Sequence, residues 1–390
     1  MKPYEALDFY NISSLLTDEE KSIQQTLRQY VSQNIMPHIA DHYFNHTFPK
    51  NIFKELGALG ALGANLKGYG CPGLGEVAYG IIMQELERAD SGIRSAISVQ
   101  GALSMYPIWA YASEELKNQY LPEMAKGNLI GCFGLTEPDH GSNPSGMQTR
   151  AVRKGNDYVI AGNKMWITNG GLADIAIIWA KLTDEGDKIG GFVVPIKTAG
   201  LTVRNIEKKF SLNASVTSEI ILDNCVVPAK NKLNVLGLKG PFSCLNHARY
   251  GISWGAMGAA MACFDEAKQY SLTRIQFDKP IASFQLVQSK LTHMLSEITK
   301  GQLLSYHLGR LKEQGQSIPQ QISLAKMNNV SKALEIARMT RDILGASGIT
   351  LEYQCGRHLM NLESVNTYEG TEDIHRLILG EHITGIPAYK

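Results

Sequence analysis

The first third of the chain has a helical pattern of apolar and polar positions. Apolar residues recur there at three- and four-residue spacing, which places them on one face of a helix. Polar residues fill the positions between them and the gaps between the runs. We therefore predict helices joined by loops over residues 18–130. The clearest apolar stripes are Ile52, Phe53, Leu56 and Leu59, followed by Ile81, Ile82, Leu86 and Ala89.

The pattern changes over residues 131–238. Short runs rich in β-branched and aromatic residues are bounded there by Gly, Asn and Asp, which is typical of strands. No helical crossover of about a dozen residues separates these runs, as parallel pairing would require. We therefore predict an antiparallel sheet or a small barrel. The runs are residues 158–161, 175–180, 192–194 and 220–222.

Helical spacing returns from Phe242 onward, and a four-helix bundle is the simplest interpretation of it. Two apolar stripes support this interpretation: Leu286, Val287, Leu291, Met294, Leu295 and Ile298, and then Ala325, Met327, Val330, Ala333, Leu334 and Ala337. The predicted fold class is α+β. Its three parts are an N-terminal helical domain (1–130), a central antiparallel β domain (131–240) and a C-terminal four-helix bundle (241–390).

Composition and charge narrow the classes of function. The chain of 390 residues is 44% hydrophobic and 19% charged, which is ordinary for a folded protein. Its 38 basic and 37 acidic side chains leave a net charge of +1. No global field would therefore draw the protein to nucleic acid or to an anionic membrane. The sequence contains no run of about 18 apolar residues, which a membrane-spanning helix would need. We expect neither nucleic acid nor a membrane as a partner.

Cysteine and histidine spacing argues against a metal site. The six cysteines form no C-x-x-C pair, and His140, His247 and His375 are scattered. We expect no metal and mostly buried, reduced thiols. The first residues lack the basic start and apolar stretch of a secretory or transit peptide. We expect a cytoplasmic location, or the mitochondrial matrix if a presequence was removed.

Two segments of the predicted sheet carry candidate ligand-binding groups. Residues 131–142, GCFGLTEPDHGS, combine small residues with a hydroxyl and can offer donors to a flat heteroaromatic ligand. Within residues 164–170, KMWITNG, Trp166 and Thr168 lie on the same side of a strand. The indole can then stack on a ring while the hydroxyl donates to it. An ordinary loop and a core tryptophan beside a turn are the alternatives.

A third candidate group is Glu369 in residues 366–371, NTYEGT. A glutamate on a loop that enters an apolar pocket has its charged form disfavoured, which suits a base for C–H deprotonation. A carboxylate at the start of a helix is the alternative reading.

In this order, the three segments resemble those of the acyl-CoA dehydrogenase family, and the resemblance covers essentially the whole chain. It implies an FAD between the β domain and the C-terminal bundle. Thr136 and Thr168 would bond the flavin and Trp166 would pack against it. Glu369 matches the catalytic base of the family.

The resemblance also extends to the outer part of the cofactor. Residues 274–277 with Gln285 resemble the segment that reaches across a subunit interface to the FAD pyrophosphate and adenine, and Arg274 supplies the charge for phosphate recognition. A solvated cation at a helix end is the alternative for Arg274. A homotetramer and an electron-transfer flavoprotein as electron acceptor are implied as well. The remaining implied cofactor contacts are Ser142, Phe277, Thr371 and Asp373.

Residues 85–100 and 368–375 are similar to the glutaryl-CoA dehydrogenases, one branch of that family. This similarity implies glutaryl-CoA or a related acyl-CoA as substrate. The implied reaction is oxidative decarboxylation to crotonyl-CoA and CO2. The implied substrate contacts are Glu87, Arg94, Ser98 and Tyr368.

The chemistry of Arg94 agrees with a dicarboxylic substrate. Asp90 or Ser91 can cap a helix on which Arg94 and Ser98, at i and i+4, share one face. An unpaired arginine would be costly in the apolar cavity that a plain fatty acyl chain needs, whereas a second carboxylate gives it a partner. The alternative is a surface Arg94 paired with Glu87 or Asp90.

Ser142 and Arg249 match family positions along the CoA arm, the first at the thioester side and the second toward the nucleotide end. The sequence departs from the family at Asn213, where arginine is usual. It departs again at residues 345–348, GASG, where a glycine pair and an asparagine are commoner. These departures put cofactor affinity and interface details in doubt.

Three other functions compete with this interpretation. A short-chain monocarboxylic acyl-CoA dehydrogenase would share the base and the flavin. An acyl-CoA oxidase would pass its electrons to oxygen. A non-catalytic CoA-binding or scaffold protein would not need Glu369 together with both flavin segments.

Overall fold

The structure, a computed structural model, describes residue 4 and residues 6–388 and has the predicted helix-sheet-helix order. Its first helix begins at a capping box, in which the Glu20 amide donates to the Thr17 hydroxyl and the Thr17 amide donates to the Glu20 carboxylate. Two π-helical turns, Val31–Ile35 and Val99–Met105, extend helices of this part. The N-terminal elements are α1 (Asp18–Tyr30), α2 (Ile39–Phe44), α3 (Ile52–Ala58), β1 (Lys67–Gly68), β2 (Cys71–Pro72), α4 (Glu76–Ala89), α5 (Ser91–Ser98), α6 (Tyr106–Tyr111) and α7 (Glu114–Ala125).

The middle of the chain forms one eight-stranded sheet with the order β10-β7-β6-β4-β5-β9-β8, in which β3 also pairs with β6. Its strands are β3 (Gly131–Gly134), β4 (Arg150–Lys154), β5 (Asp157–Thr168), β6 (Ile175–Leu182), β7 (Lys188–Pro195), β8 (Leu201–Asn205), β9 (Thr217–Pro228) and β10 (Lys232–Leu236).

The prediction of a purely antiparallel sheet was wrong at one edge of β6. Strands β3 and β4 share that edge, and both run parallel to β6. The connection from β3 to β6 contains the β4–β5 hairpin rather than a helix. Antiparallel β5 carries the chain back to the end of the sheet at which β4 begins, so β6 can run parallel to β4 without the helical crossover on which the prediction relied.

The C-terminal part is the predicted helical bundle with one further helix. Helices α8 to α11 share a core that includes Ile252, Met294, Val330 and Leu362, and the further helix α12 packs on α10. The elements are α8 (Lys239–Thr273), β11 (Ile275–Gln276), β12 (Lys279–Pro280), α9 (Gln285–Glu313), α10 (Pro319–Leu344), α11 (Cys355–Thr367) and α12 (Glu372–Thr384).

Glycines allow α4 and α8 to lie against each other with their backbones in contact. A β-carbon at Gly258 would overlap the Gln84 carbonyl oxygen, and one at Gly80 would overlap the Trp254 ring. A side chain at Gly258 would push the two helix backbones apart, and one at Gly80 would displace the Trp254 ring. This close contact between the two helices places buried side chains of α4 directly against α8.

A buried ion pair ties α5 to α11. Asp90 caps α5 by accepting from the Gly92 amide at 2.7 Å. Its other oxygen pairs with Arg357 at 2.9 Å and accepts from the Asn361 amide group at 2.8 Å. Asp90 and Arg357 are both buried. The orientation of α5 therefore depends on residues more than 250 positions later in the chain.

The prediction of reduced, mostly buried thiols is confirmed. All six cysteines are free, and Cys71 alone is partly exposed while the others are buried. Across residue 4 and residues 6–388, no helix combines the length and apolarity that a membrane span requires. In the same part of the chain, no group of three or more His, Cys, Asp or Glu side chains could hold a metal ion.

We predict that Arg357→Met lowers the free energy of unfolding by about 3–5 kcal/mol, because it leaves the Asp90 carboxylate buried without its cation. Chemical denaturation followed by circular dichroism measures the change. Lys126→Met is the matched control, since it removes the cation of an exposed pair with Glu123 and should cost about 0–1 kcal/mol. Equal losses in the two variants would contradict the role given to the buried pair.

Candidate active site

Glu369 lies in the turn between α11 and α12. Its backbone is left-handed, with φ of 53°, and Gly370 follows with φ of 96°. Two cations hold the carbonyls of this turn. Arg249 Nε on α8 donates to the Glu369 oxygen at 2.6 Å, and Lys326 Nζ on α10 donates to the Gly370 oxygen at 2.8 Å. The Arg249 side chain therefore contacts the Glu369 turn, and its predicted contact with the nucleotide end of CoA stays a prediction.

The Glu369 carboxyl group is in an environment that favours its protonated form. Its Oε2 atom is buried and has no hydrogen-bond partner in the described part of the chain. Burial raises the pKa of Glu369 to about 7, although Arg94, Arg249 and Lys326 act in the opposite direction. A carboxyl group tuned in this way can accept and return a proton near neutral pH.

Arg94 is completely buried on α5 and is held at two of its nitrogens. Its Nε donates to Glu87 on α4 at 2.6 Å, and its Nη2 donates to the hydroxyl of Tyr368, the neighbour of Glu369. Gly255 on α8 faces the ion pair, and a β-carbon there would overlap the Glu87 carboxylate. The third nitrogen, Nη1, is buried and has no partner among the described residues.

Two hydroxyl groups complete a set of buried donors near Arg94. The hydroxyls of Ser98 and Tyr79 are buried, and neither makes a hydrogen bond of good geometry within residues 4 and 6–388, although the two lie close to each other. Burial raises the pKa of Tyr79, while the Ser98 hydroxyl and the Arg94 charge lower it, so the three groups are close enough to interact. Buried polar groups are normally hydrogen-bonded. Three neighbouring buried donors with unfilled hydrogen-bonding capacity therefore indicate a place for an anionic ligand group.

The structure decides between the two sequence-based readings of Arg94. A surface position is wrong, because the side chain has no exposed area. The pairing with Glu87 is correct, whereas Asp90 pairs with Arg357 instead. The arginine therefore already has one carboxylate partner within the protein, which the argument from an unpaired charge did not foresee.

The two segments predicted to face a flavin lie side by side. The Met165 amide donates to the Thr136 oxygen at 2.9 Å. A bulge in β5 between Lys164 and Ile167 gives Trp166 a φ of 63° and leaves its side chain 60% exposed. The core-tryptophan alternative is therefore wrong. Thr136 and Thr168 are partly buried beside this exposed indole.

A buried ion pair supports these two segments. Lys164 Nζ binds Glu137 at 2.8 Å, and the same carboxylate oxygen accepts from the Thr149 amide at 2.9 Å. Burial opposes ionisation of Glu137, but Lys164 and the backbone donors lower its pKa to about 2. The pair fixes the loop after β3 against the bulged strand.

The remaining predicted cofactor residues lie on the surface or at a helix start. Ser142, Arg274, Phe277 and Gln285 are exposed, with Phe277 86% exposed at the tip of the β11–β12 hairpin. Among the described residues, none of these four side chains forms a hydrogen bond with the side chain of Glu369, Arg94 or Trp166. Their contacts with a cofactor across a subunit interface stay a prediction.

Two further predicted residues have structural partners at the start of α12. Thr371 caps α12 by accepting from the Ile374 amide at 3.2 Å. Asp373 is exposed and pairs with Arg376 at 2.8 Å. At the positions that depart from the family, Asn213 Oδ1 is buried without a described partner, and Gly345 begins a 3-10 turn with φ of 58°.

Sequence reasoning missed Lys326 and Tyr79. Lys326 follows Ala325 in the apolar stripe of α10, and no local pattern distinguishes it from a solvated lysine. Tyr79 lies among apolar residues of α4 and reads as a core aromatic residue. Only the packing of α4, α8 and α10 around the Glu369 turn identifies these two side chains.

Comparisons with known proteins agree with this arrangement. Residues 17–128, 132–225 and 237–384 match the models of the acyl-CoA dehydrogenase N-terminal, middle and C-terminal domains. An acyl-CoA dehydrogenase from Bacillus subtilis (strain 168) is 32% identical over 378 residues, which cover 95% of this chain and 99% of that protein.

Two crystal structures of Mycobacterium smegmatis glutaryl-CoA dehydrogenase are also similar. One is 52% identical with a TM-score of 0.96, and the other, in complex with FADH2, is 50% identical with a TM-score of 0.97. Both alignments cover 98% of this chain and 99% of the other. The predicted fold and family are thus confirmed: the chain belongs to the acyl-CoA dehydrogenase family.

Proposed function

We propose that this protein catalyses the FAD-dependent oxidative decarboxylation of glutaryl-CoA to crotonyl-CoA and CO2, and that an electron-transfer flavoprotein accepts the electrons. The observation that carries the proposal is the buried Arg94, whose free Nη1 lies in the same cluster as Glu369. The 52% identity to a glutaryl-CoA dehydrogenase supports the choice of substrate. A homotetramer in the cytoplasm is part of the proposal, and the exposed Phe277 and Leu286 are consistent with a subunit contact.

The residues around Trp166 fit FAD. The exposed indole offers a flat apolar face, and Thr136 and Thr168 on the adjoining segments offer hydroxyl donors. Trp166 would pack against the flavin, and the two threonines would bond it. When bound, FAD supplies the acceptor for the hydride that leaves the substrate.

Glu369 acts as the base that removes a proton from the carbon beside the thioester carbonyl. Its pKa of about 7 makes it a stronger base than an exposed glutamate while leaving much of it ionised at neutral pH. Its left-handed turn presents the carboxyl group to the cluster of Arg94, Tyr79 and Ser98. The Glu369 amide is the proposed donor to the thioester oxygen, where negative charge develops as the proton leaves.

Arg94 Nη1, Ser98 and Tyr79 bind the distal carboxylate of the substrate. Because Glu87 already pairs with Nε, the arginine does not need the substrate for neutralisation. Selectivity then comes from buried donors that a second carboxylate satisfies and an uncharged acyl chain does not. A site of this kind rejects an analogue without the group, because its polar atoms remain unpaired.

The same arrangement accounts for decarboxylation. Once the substrate is oxidised, its distal carboxylate is attached to the carbon next to the new double bond. Breaking the bond between this carbon and the carboxylate releases CO2. The electron pair of the broken bond is delocalised through the new double bond into the thioester carbonyl. The protonated Glu369 then returns its proton to carbon, which gives crotonyl-CoA and restores the base.

A short-chain monocarboxylic acyl-CoA dehydrogenase is the second candidate, and the Glu87–Arg94 pair is the observation that favours it. An arginine neutralised within the protein is less costly beside an uncharged acyl chain than an isolated one. The unpartnered Nη1 and the two hydroxyls favour the dicarboxylic substrate.

We predict that glutaryl-CoA bleaches the flavin of the anaerobic enzyme and that CO2 is released in proportion. Glu369→Gln should keep its flavin and bind substrate but lose turnover by a factor on the order of 10³ or more, because the base is needed only in the transition state. Absorbance at the flavin maximum and trapped CO2 measure the two outcomes. Flavin bleaching without CO2 release, or rapid reoxidation of the flavin by air, would contradict the proposal. Full activity of Glu369→Gln would refute the assignment of Glu369 as the base.

We predict that Arg94→Gln lowers kcat/KM for glutaryl-CoA by a factor on the order of 10²–10³ but changes kcat/KM for butyryl-CoA only a few-fold. The single change leaves the Glu87 carboxylate buried and unpaired. The double variant Glu87→Gln with Arg94→Gln removes both charges and is therefore the matched control for misfolding. Equal losses with both substrates in the double variant would exclude Arg94 from substrate selection.

We predict a pH-dependent gain in stability from Glu369→Gln. The pKa of Glu369 is about 7 in the folded protein and 4.5 in the ordinary glutamate. Wild-type stability therefore falls as pH rises from about 5 to about 8, since the folded state resists ionisation. The stability advantage of Glu369→Gln should grow on the order of 2–3 kcal/mol over that range. Denaturant unfolding at both pH values measures it, and a constant difference would contradict the raised pKa.

A further inference from the structure

Lys326 is a completely buried lysine at the Glu369 turn. Its side chain has no exposed area, and its ammonium group donates to the Gly370 oxygen at 2.8 Å and to the Asn366 oxygen at 3.5 Å. Within the described residues, no carboxylate lies within ion-pair distance of it. Burying an ammonium group in this way is costly. Its partners are the two ends of the segment that carries Glu369.

The turn needs such partners because its backbone is strained. Glu369 has a left-handed conformation with φ of 53°, which is unfavourable for a residue with a β-carbon. The next residue, Gly370, also has positive φ. Arg249 holds the carbonyl of Glu369 from α8, and Lys326 holds the carbonyl of Gly370 from α10. Two helices thus fix consecutive peptide groups and with them the direction of the carboxyl group.

Lys326 also acts on Glu369 through its charge. Burial lowers the pKa of Lys326 to about 7, and Glu369 raises it. In turn, the Lys326 charge lowers the pKa of Glu369, together with Arg94 and Arg249. The other charged or titratable groups around this pair are Tyr79 and Glu87 from α4, Tyr368 from the turn itself, and Glu372 and His375 from α12.

We propose that Lys326 is a positioning residue for the base, which holds the Glu369–Gly370 turn through the Gly370 carbonyl and places a buried positive charge at this turn. This inference rests on the proposed function, because it assumes that Glu369 is the base. Lys326 touches the backbone of the turn and not the reacting carbon.

Two variants separate the hydrogen bond from the charge. Lys326→Met keeps the length of the side chain but has neither a donor nor a charge. Lys326→Gln keeps an N–H donor for the Gly370 carbonyl without the charge. Asn329→Ala is the control for a purely structural loss on the same helix, since Asn329 holds the Ser253 and Gly301 carbonyls between helices.

We predict that Lys326→Met lowers kcat for glutaryl-CoA by a factor on the order of 10², as expected for a misplaced catalytic group, with KM within a few-fold of wild type and flavin content unchanged. Lys326→Gln should retain a larger share of the wild-type kcat than Lys326→Met does, because it keeps a donor for the Gly370 carbonyl. In both variants, the rising limb of kcat/KM against pH should move to higher pH. Asn329→Ala should lose stability without moving this limb.

A second readout does not depend on turnover. In the Lys326→Met background, the stability gained from Glu369→Gln should be larger and should level off at higher pH than in the wild-type background, as measured by denaturant unfolding, because a higher pKa of Glu369 in the folded protein extends the pH range over which the gain grows. An unchanged pH profile of kcat/KM in both variants, together with a stability gain that levels off at the wild-type pH, would overturn the role of Lys326. Turnover that persists in Glu369→Gln would instead refute the proposed function, so the two failures can be told apart.

Discussion

The buried Arg94 guanidinium, held between the Glu87 carboxylate and the Tyr368 hydroxyl, is the interaction on which the rest of the site depends. A buried arginine is costly unless a carboxylate pairs with its charge. Glu87 supplies the charge from α4, and Gly255 leaves room for the pair beneath α8. Tyr368 then ties the arginine to the turn that carries Glu369. One cation thereby joins α4 and α5 to the turn that carries Glu369.

Carboxylates in this protein have different properties because their surroundings differ. Glu137 accepts from a buried lysine and from backbone amides, and its pKa falls to about 2. Glu369 is also surrounded by cations, but burial dominates and its pKa rises to about 7. Direct hydrogen bonds to the carboxylate make this difference, since two of the cations near Glu369 bind backbone carbonyls instead. The first carboxylate is suited to holding a loop and the second to moving a proton.

The order of helices and strands could be predicted from the sequence, because hydrophobic periodicity is a local property. The three motif segments were recognisable because they are also local, and so was the shared face of Arg94 and Ser98. The sequence left the cap of α5 open between Asp90 and Ser91, and the structure has Asp90 there. The pairing of β6 with β3 and β4 could not be predicted, since strand direction depends on the path of the whole chain. The exposure of Trp166 depends on a bulge that the alternating pattern does not reveal.

The sequence by itself thus determined the family, the succession of elements and the residues on which the proposed chemistry rests. Only the tertiary structure decided that Arg94 pairs with Glu87 rather than Asp90, and that Lys326 and Arg249 hold the turn that carries Glu369. The physical reason is that these contacts join residues distant along the chain, such as Arg94 and Tyr368, which are 274 positions apart. Burial and the resulting pKa of Glu369 likewise arise only when α4, α5, α8 and α10 close around it.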